Sequence, residues 1–304
     1  MRIGIAATPD VAIPTMDWLL TCQHELVCVF TKPDRPSGRG REIKAGIVAQ
    51  WAKKHSVNLY QPHSAQDLAP LVRDLDLVIT VGYGQLLPQE ILTIPRYGFL
   101  NLHFSLLPAW RGAAPVQRSI LHGDSKTGIT VFQLDTGMDT GPIYVQREYE
   151  ISPRANAGEV FRDLALMGPE AISEAITSIT AGDVPKGQSG FGVSRAAKIS
   201  KDEARIDWNQ SAYAIDRHIR AFTPEPGTWT NWRGDFLRIS SAQPGPLRKE
   251  LSRGEISLDD NYVLVGCSEG STLELVELRP AGKKQMQARD WFNGARHVAG
   301  EGFV

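Results

Sequence analysis

Asn101 and His103 stand two residues apart in the stretch FLNLHFSLLPAWRGAAP, residues 99–115. On an extended strand that spacing puts both side chains on one face, with Leu100, Leu102 and Phe104 turned to the other. A carboxamide N–H beside an imidazole, aimed the same way, can donate to an oxygen that is gaining negative charge. Read alone, the two residues are better explained as a capping asparagine and a core histidine. A second cluster, Asp135-Thr136-Gly137-Met138-Asp139-Thr140-Gly141-Pro142, puts Asp139 38 residues after Asn101. Acids in a Gly-rich loop are turn formers by default, and Asp135 is read that way. Asp139 precedes the next strand and is expected near the end of the Asn101/His103 strand, where a carboxylate can orient the ring or take a proton from an amine. One His and one Asp are too few for a metal, which takes three or four ligands, so no metal is expected. No G-x-S-x-G surrounds Ser105 and no cysteine is near, so a covalent nucleophile is not expected either.

Such side chains need a sheet to carry them. Residues 2–6, 24–30, 77–81 and 99–103 read as buried strands, and 127–133 and 143–149 as further ones. Helical patterns alternate with them at 13–20, 45–55, 115–122 and 157–180, Pro115 suiting a first helical turn. The alternation predicts an α/β fold: a Rossmann-like, doubly wound, mostly parallel sheet covered on both faces, with ligands at the strand ends. The turn after the first strand, Ala6-Ala7-Thr8-Pro9-Asp10, lacks a G-x-G-x-x-G, so NAD is not expected. Gly, Pro and Ser accumulate in AGDVPKGQSGFGVS (181–194), which marks a boundary. The expected division is a catalytic domain over 1–189, a linker over 190–205 and a second domain over 206–304. A helix at 211–220 and short alternating segments at 236–239, 262–266 and 272–278 suggest that the second domain is a small β-barrel of the OB-like kind.

With 42% hydrophobic and 22% charged residues, the chain has the composition of an ordinary soluble protein. Its net charge of −1 argues against indiscriminate nucleic-acid binding, so only local basic clusters matter. One lies at 30–46, where Lys32, Arg35, Arg39, Arg41 and Lys44 outnumber Asp34 and Glu42; by itself such a run is a solvated loop that could contact phosphate. No apolar run approaches the ~20 residues of a membrane span, and no signal-peptide pattern is expected. The three cysteines, Cys22, Cys28 and Cys267, form no framework, which points to the reducing cytoplasm.

The run N-x-H-x-S-L-L-P, then W-R-G-A-A-P, then D-x-G-x-D-T-G-P resembles the formyltransferases that use 10-formyltetrahydrofolate. The likeness extends over essentially the whole chain. ATPD (7–10), FTKPDRPSGRGR (30–41), KISKDEARIDW (198–208), IRAFTPEPGTWT (219–230) and RPAGKKQM (279–286) are similar to the members of that family that act on methionyl-tRNA. The resemblance implies that Asn101, His103 and Asp139 are catalytic. It implies folate contacts at Ser105, Leu106, Leu107 and Pro108, with Tyr83 and Gly84 lining the same pocket. It also implies that the basic loop enters the tRNA acceptor end, with Arg39 at its key position. Lys198, Lys201, Lys283 and Lys284, with Arg195, Arg217 and Arg220, would track the acceptor stem. The implied reaction moves the formyl group of 10-formyltetrahydrofolate to the α-amine of initiator methionyl-tRNA, in a cytoplasmic monomer.

A UDP-amino-sugar acceptor is the nearest alternative, since the N-terminal motifs are shared; glycinamide ribonucleotide is further off, because those enzymes resemble only the first domain. A non-catalytic folate- or RNA-binding protein predicts loss of the trio, which is intact. The chain departs from the family pattern at Ala109, where many relatives have Arg or Lys, at Ala7, usually Gly, and at AGIV (45–48), which lacks a common Ser-Pro.

Overall fold

The apolar run Arg2–Ala7 (β1) buries Ile3, Ile5, Ala6 and Ala7 completely, as a strand covered on both faces must. The computed structural model describes residues 1–37, 42–248 and 250–304. Along the chain β1 is followed by Ile13–Thr21 (α1), Glu25–Phe30 (β2), Arg35–Ser37 (β3), Glu42–Lys44 (β4), Ile47–Lys54 (α2) and Asn58–Tyr60 (β5). Next come Ala65–Leu68 (α3), Leu77–Val81 (β6), Gln89–Leu92 (α4), Phe99–His103 (β7), Arg111–Gly112 (β8) and Pro115–His122 (α5). Lys126–Gln133 (β9), Ile143–Glu150 (β10), Ala157–Ala181 (α6) and Arg195–Ala196 (β11) complete this part. The residues cluster into two compact units. The first comprises Met1–Pro115, Lys126–Glu150 and Phe161–Ala197; the second comprises Val116–Ser125, Ile151–Val160 and Lys198–Val304.

The first unit is built on a seven-stranded sheet in the order β10-β9-β7-β6-β1-β2-β5. β7, β6, β1, β2 and β5 run parallel; at one side β9 pairs antiparallel with β7, and β10 antiparallel with β9. β7 therefore lies between a parallel and an antiparallel neighbour. Its register sets Asn101 opposite Thr80 of β6 and Phe132 of β9, and His103 opposite Thr130. Phe99, Leu100 and Leu102 are buried, so the strand is clamped by apolar packing and its polar pair is held at the end. The two-residue strands β8 and β11 pair in parallel away from the main sheet.

In the second unit Ser211 caps Ala212–Phe222 (α7), its hydroxyl accepting from the Ala214 amide. The helix buries Ile215, Ile219 and Phe222. The strands are Thr228–Trp232 (β12), Asp235–Pro244 (β13), Ile256–Asp259 (β14), Tyr262–Gly266 (β15), Thr272–Pro280 (β16) and Met286–Gln287 (β17), before the helix Ala288–Gly294 (α8). They form an antiparallel sheet in the order β12-β13-β16-β15-β14, with β17 on β16. The last residues join its outer strands. Val304 exchanges backbone hydrogen bonds with Asn231 of β12, while the Phe303 amide donates to Gly254 and the Ile256 amide to Glu301. The tail thus gives the sheet a barrel-like closure that short strands alone would leave open. Phe303 stacks between Trp208 and Trp291, at ring-centroid distances of 5.2 and 5.9 Å, and anchors the tail. Among the described residues no helix is long and apolar enough to cross a membrane.

Candidate functional site

Asn101 gains its orientation from the neighbouring strand. The Thr80 hydroxyl, buried at the β6–β7 register point, donates to Asn101 Oδ1 at 2.7 Å. With its oxygen tied to β6, Asn101 presents Nδ2, a donor with no protein acceptor among the described residues. Sequence reading missed Thr80, because only the strand register shows that it faces Asn101.

His103 is 6% exposed, and its Nε2 lies 3.0 Å from the Trp110 carbonyl oxygen. A carbonyl can only accept, so Nε2 carries a proton and Nδ1 is the nitrogen left for chemistry. Nδ1 stands 3.8 Å from Asp139 Oδ2, too far for a hydrogen bond. The expected orienting role of Asp139 toward the ring thus falls to the Trp110 carbonyl instead. The Asp139 charge nonetheless faces Nδ1 at 3.8 Å.

Asp139 is held by its own contacts. Its backbone is left-handed, φ 55°, a conformation Asp tolerates better than most residues. Oδ2 accepts the Gly112 amide at 2.7 Å. Gly112 sits at φ 125°, and a Cβ there would lie 2.6 Å from the Ala196 carbonyl oxygen, so the β8–β11 pairing leaves room only for glycine. Asp135 is the turn former expected: its carboxylate accepts from the Gly137 amide and the Thr140 hydroxyl.

The loop between His103 and β8 is rigid. The Ser105 hydroxyl donates to the Ala109 carbonyl at 2.6 Å, and the residue is fully buried. Thr130 donates to the Ser105 carbonyl and accepts the Leu107 amide, while Gln146 donates to the Leu107 carbonyl. Leu107 is buried, and Leu106 and Pro108 are partly exposed. Ser105 is accordingly spent on shaping the loop. Tyr83 lies between Gly82 (φ 57°) and Gly84 (φ 65°); its hydroxyl is buried without a partner among the described residues, and burial raises its pKa.

The residues expected to meet tRNA belong to both units. Arg39 and Arg41 lie outside the described residues, and of Arg35 only the backbone, in β3, is described. Lys44 is exposed. A Cβ at Gly84 would be 3.1 Å from Lys32 Nζ, which sets that ammonium against the turn expected to line the folate pocket. Lys198, Lys201, Lys283 and Lys284 are exposed on the second unit, and Arg195 on β11 is exposed as well. Arg220 is not available: its guanidinium donates to Asp216 at 2.9 Å and to the Ala155 carbonyl at 3.2 Å. Arg217 is partly buried, with its Nε shielded from solvent.

Residues 3–176 match the formyl transferase family, and residues 198–296 match its C-terminal domain. The chain belongs to the formyl transferase family. This formyl transferase is 45% identical over 308 residues to a methionyl-tRNA formyltransferase of Thermobifida fusca (strain YX), across 100% of this chain and 99% of the relative. Among solved structures it is similar to HypX from Aquifex aeolicus in complex with tetrahydrofolic acid, with a TM-score of 0.68 and 19% identity. That match covers 98% of this chain and 48% of HypX. It is also similar to WlaRD, a sugar 3N-formyl transferase solved in the presence of dTDP and 5-N-formyl-THF. There the TM-score is 0.67 at 17% identity, over 93% of this chain and 99% of WlaRD. At such identities the structures bear on the fold alone. The chain is a formyl-transferring enzyme.

Proposed function

We propose that the enzyme transfers the formyl group of 10-formyltetrahydrofolate to the α-amine of initiator methionyl-tRNA. One observation carries the chemistry: Thr80 and the Trp110 carbonyl occupy one polar atom each of Asn101 and His103, leaving Nδ2 and Nδ1 for a reacting group. The expected catalytic domain (1–189), linker (190–205) and tRNA-binding domain (206–304) belong to this reading, as does the cytoplasm as its compartment.

The residues present suit a folate donor. The Tyr83 hydroxyl is a buried polar atom without a partner among the described residues, a group a polar ligand edge would satisfy, and the Leu106–Pro108 backbone is prevented from yielding by Thr130 and Gln146. When bound, the folate supplies an activated formyl carbon on a nitrogen leaving group. Asn101 Nδ2 donates to the formyl oxygen as the amine adds and negative charge grows there. The amine proton goes to the His103/Asp139 pair. Nδ1 is the ring's available nitrogen; once it holds the proton it donates toward the same oxygen, while Asp139 balances the ring's charge. Return of that proton to the departing nitrogen completes the exchange, with no covalent enzyme intermediate. Holding both substrates in place lowers the entropic part of the barrier.

The acceptor rests on the full-length likeness to the Thermobifida fusca enzyme and on the exposed lysines of the second unit. The test supplies 10-formyltetrahydrofolate together with charged initiator methionyl-tRNA, charged elongator tRNA and a UDP-amino-sugar. Formyl on the initiator alone is expected; formyl on the sugar overturns the acceptor assignment.

A further inference from the structure

The segment after α6, rich in Gly and Ser and read from sequence as a mere boundary, crosses the site with side chains in use. Gln188 makes four hydrogen bonds through one amide group. Its Nε2 donates to the Asp139 carbonyl at 2.9 Å and to the Gly141 carbonyl at 2.8 Å. Its Oε1 accepts Arg111 Nε at 3.1 Å and the Arg111 Nη2 group at 2.6 Å. Arg111 precedes Gly112, the residue whose amide holds the Asp139 carboxylate. Six residues on, Ser194 accepts the Trp110 amide at 2.9 Å, and its carbonyl accepts the Arg111 amide.

We infer that Gln188 is a positioning residue for the formyl transfer, a clamp that sets the Asp139 carboxylate at its working distance from His103. Asp139 sits in the left-handed region at φ 55°, a conformation that persists only where neighbours over-determine it. Gln188 supplies that determination from the carbonyl side, while Gly112 supplies it from the carboxylate side. Both anchors run through Arg111-Gly112, so one side chain ties the acid-bearing turn to the strand that grips its carboxylate. The amide is suited to this because it donates and accepts at once. A carboxylate in its place would still pair with Arg111, and more strongly, but would turn lone pairs on the Asp139 and Gly141 carbonyls.

That asymmetry gives the test, which rests on the formyl-transfer reading for its kinetic arm only. Gln188→Ala and Gln188→Glu are compared with wild type by kcat, by KM for each substrate, and by hydrogen exchange at the Gly112 amide. The expected result is a kcat roughly 10–100-fold lower in both variants, with KM little changed. Gly112 exchange is expected to be about 10-fold faster without substrate. In an Asp139→Asn background the Gln188→Ala loss should shrink to near nothing, since the two act as one unit. A Gln188→Glu enzyme with wild-type kcat and wild-type Gly112 exchange overturns the clamp, because a role limited to packing against Arg111 survives that change. Wild-type protein that fails to formylate methionyl-tRNA counts against the acceptor reading, and the exchange measurement then decides the clamp by itself.

Discussion

The Gly112 amide donates to Asp139 Oδ2 at 2.7 Å, while the same oxygen remains 3.8 Å from His103 Nδ1. The carboxylate is thus held by backbone rather than by the ring it serves, and the ring is held by the Trp110 carbonyl. A proton can move between amine, His103 and substrate without either anchor breaking. Separate anchoring of the two groups leaves His103 Nδ1 and the second Asp139 carboxylate oxygen uncommitted to each other.

Gly112→Ala tests the first anchor. A methyl group would sit 2.6 Å from the Ala196 carbonyl oxygen at φ 125°, so β8 must move or separate from β11. The expected cost is about 1–3 kcal/mol of stability and a kcat lower by roughly 10²-fold through misplacement of Asp139. Thermal melts and steady-state kinetics read the two effects.

Asp139→Asn removes the charge and leaves an oxygen to accept the Gly112 amide, so the fold should be preserved. Formyl transfer should slow by at least ~10² if the carboxylate assists proton transfer. A near-wild-type rate removes Asp139 from the mechanism.

Thr80→Val deletes the hydroxyl that holds Asn101 Oδ1 and keeps the side-chain shape. The loss of one such hydrogen bond is worth about 0.5–1.5 kcal/mol, which predicts a kcat about 2–10-fold lower. Thr80→Ser should restore most of it, and the comparison separates the hydrogen bond from packing.

Acid stability carries a signature of His218. Burial lowers its pKa from the ordinary 6.5, the nearby Ala204 backbone and Glu203 opposing, and the ring stacks on Phe222 at 4.6 Å. The unfolded chain therefore binds this proton first. Stability from this group is complete above pH 6.5 and is lost as pH falls through the lowered folded value. Urea unfolding across that range should show a smaller acid loss for His218→Phe than for wild type.

Much of this was legible in the sequence because it rests on local signals. Apolar runs gave β1, β6 and β7, and the two-residue spacing in β7 put Asn101 and His103 on one side. The flanking motifs named the trio. What escaped was set by partners distant along the chain. Thr80 matters only through its register with Asn101, and β8 and β11 are two residues each, too short for any periodicity. Gln188 and Ser194 sit among glycines, where composition signals a break and says nothing of what the side chains reach. Ser105 reads as a ligand contact by motif, yet burial commits its hydroxyl to the Ala109 carbonyl. Arg220 reads as a surface cation, yet Asp216 claims it. β5, β14 and α8 were missed because three- to seven-residue elements depend on packing more than on pattern.

Asn101→Ala, followed by single-turnover formyl transfer from 10-formyltetrahydrofolate to initiator methionyl-tRNA, tests the central claim most directly. Loss of the oxyanion donor on β7 should slow the chemical step by roughly 10²–10³, with the affinity for both substrates close to wild type. A variant that transfers formyl within about twofold of the wild-type rate would contradict the assignment of Asn101 as that donor.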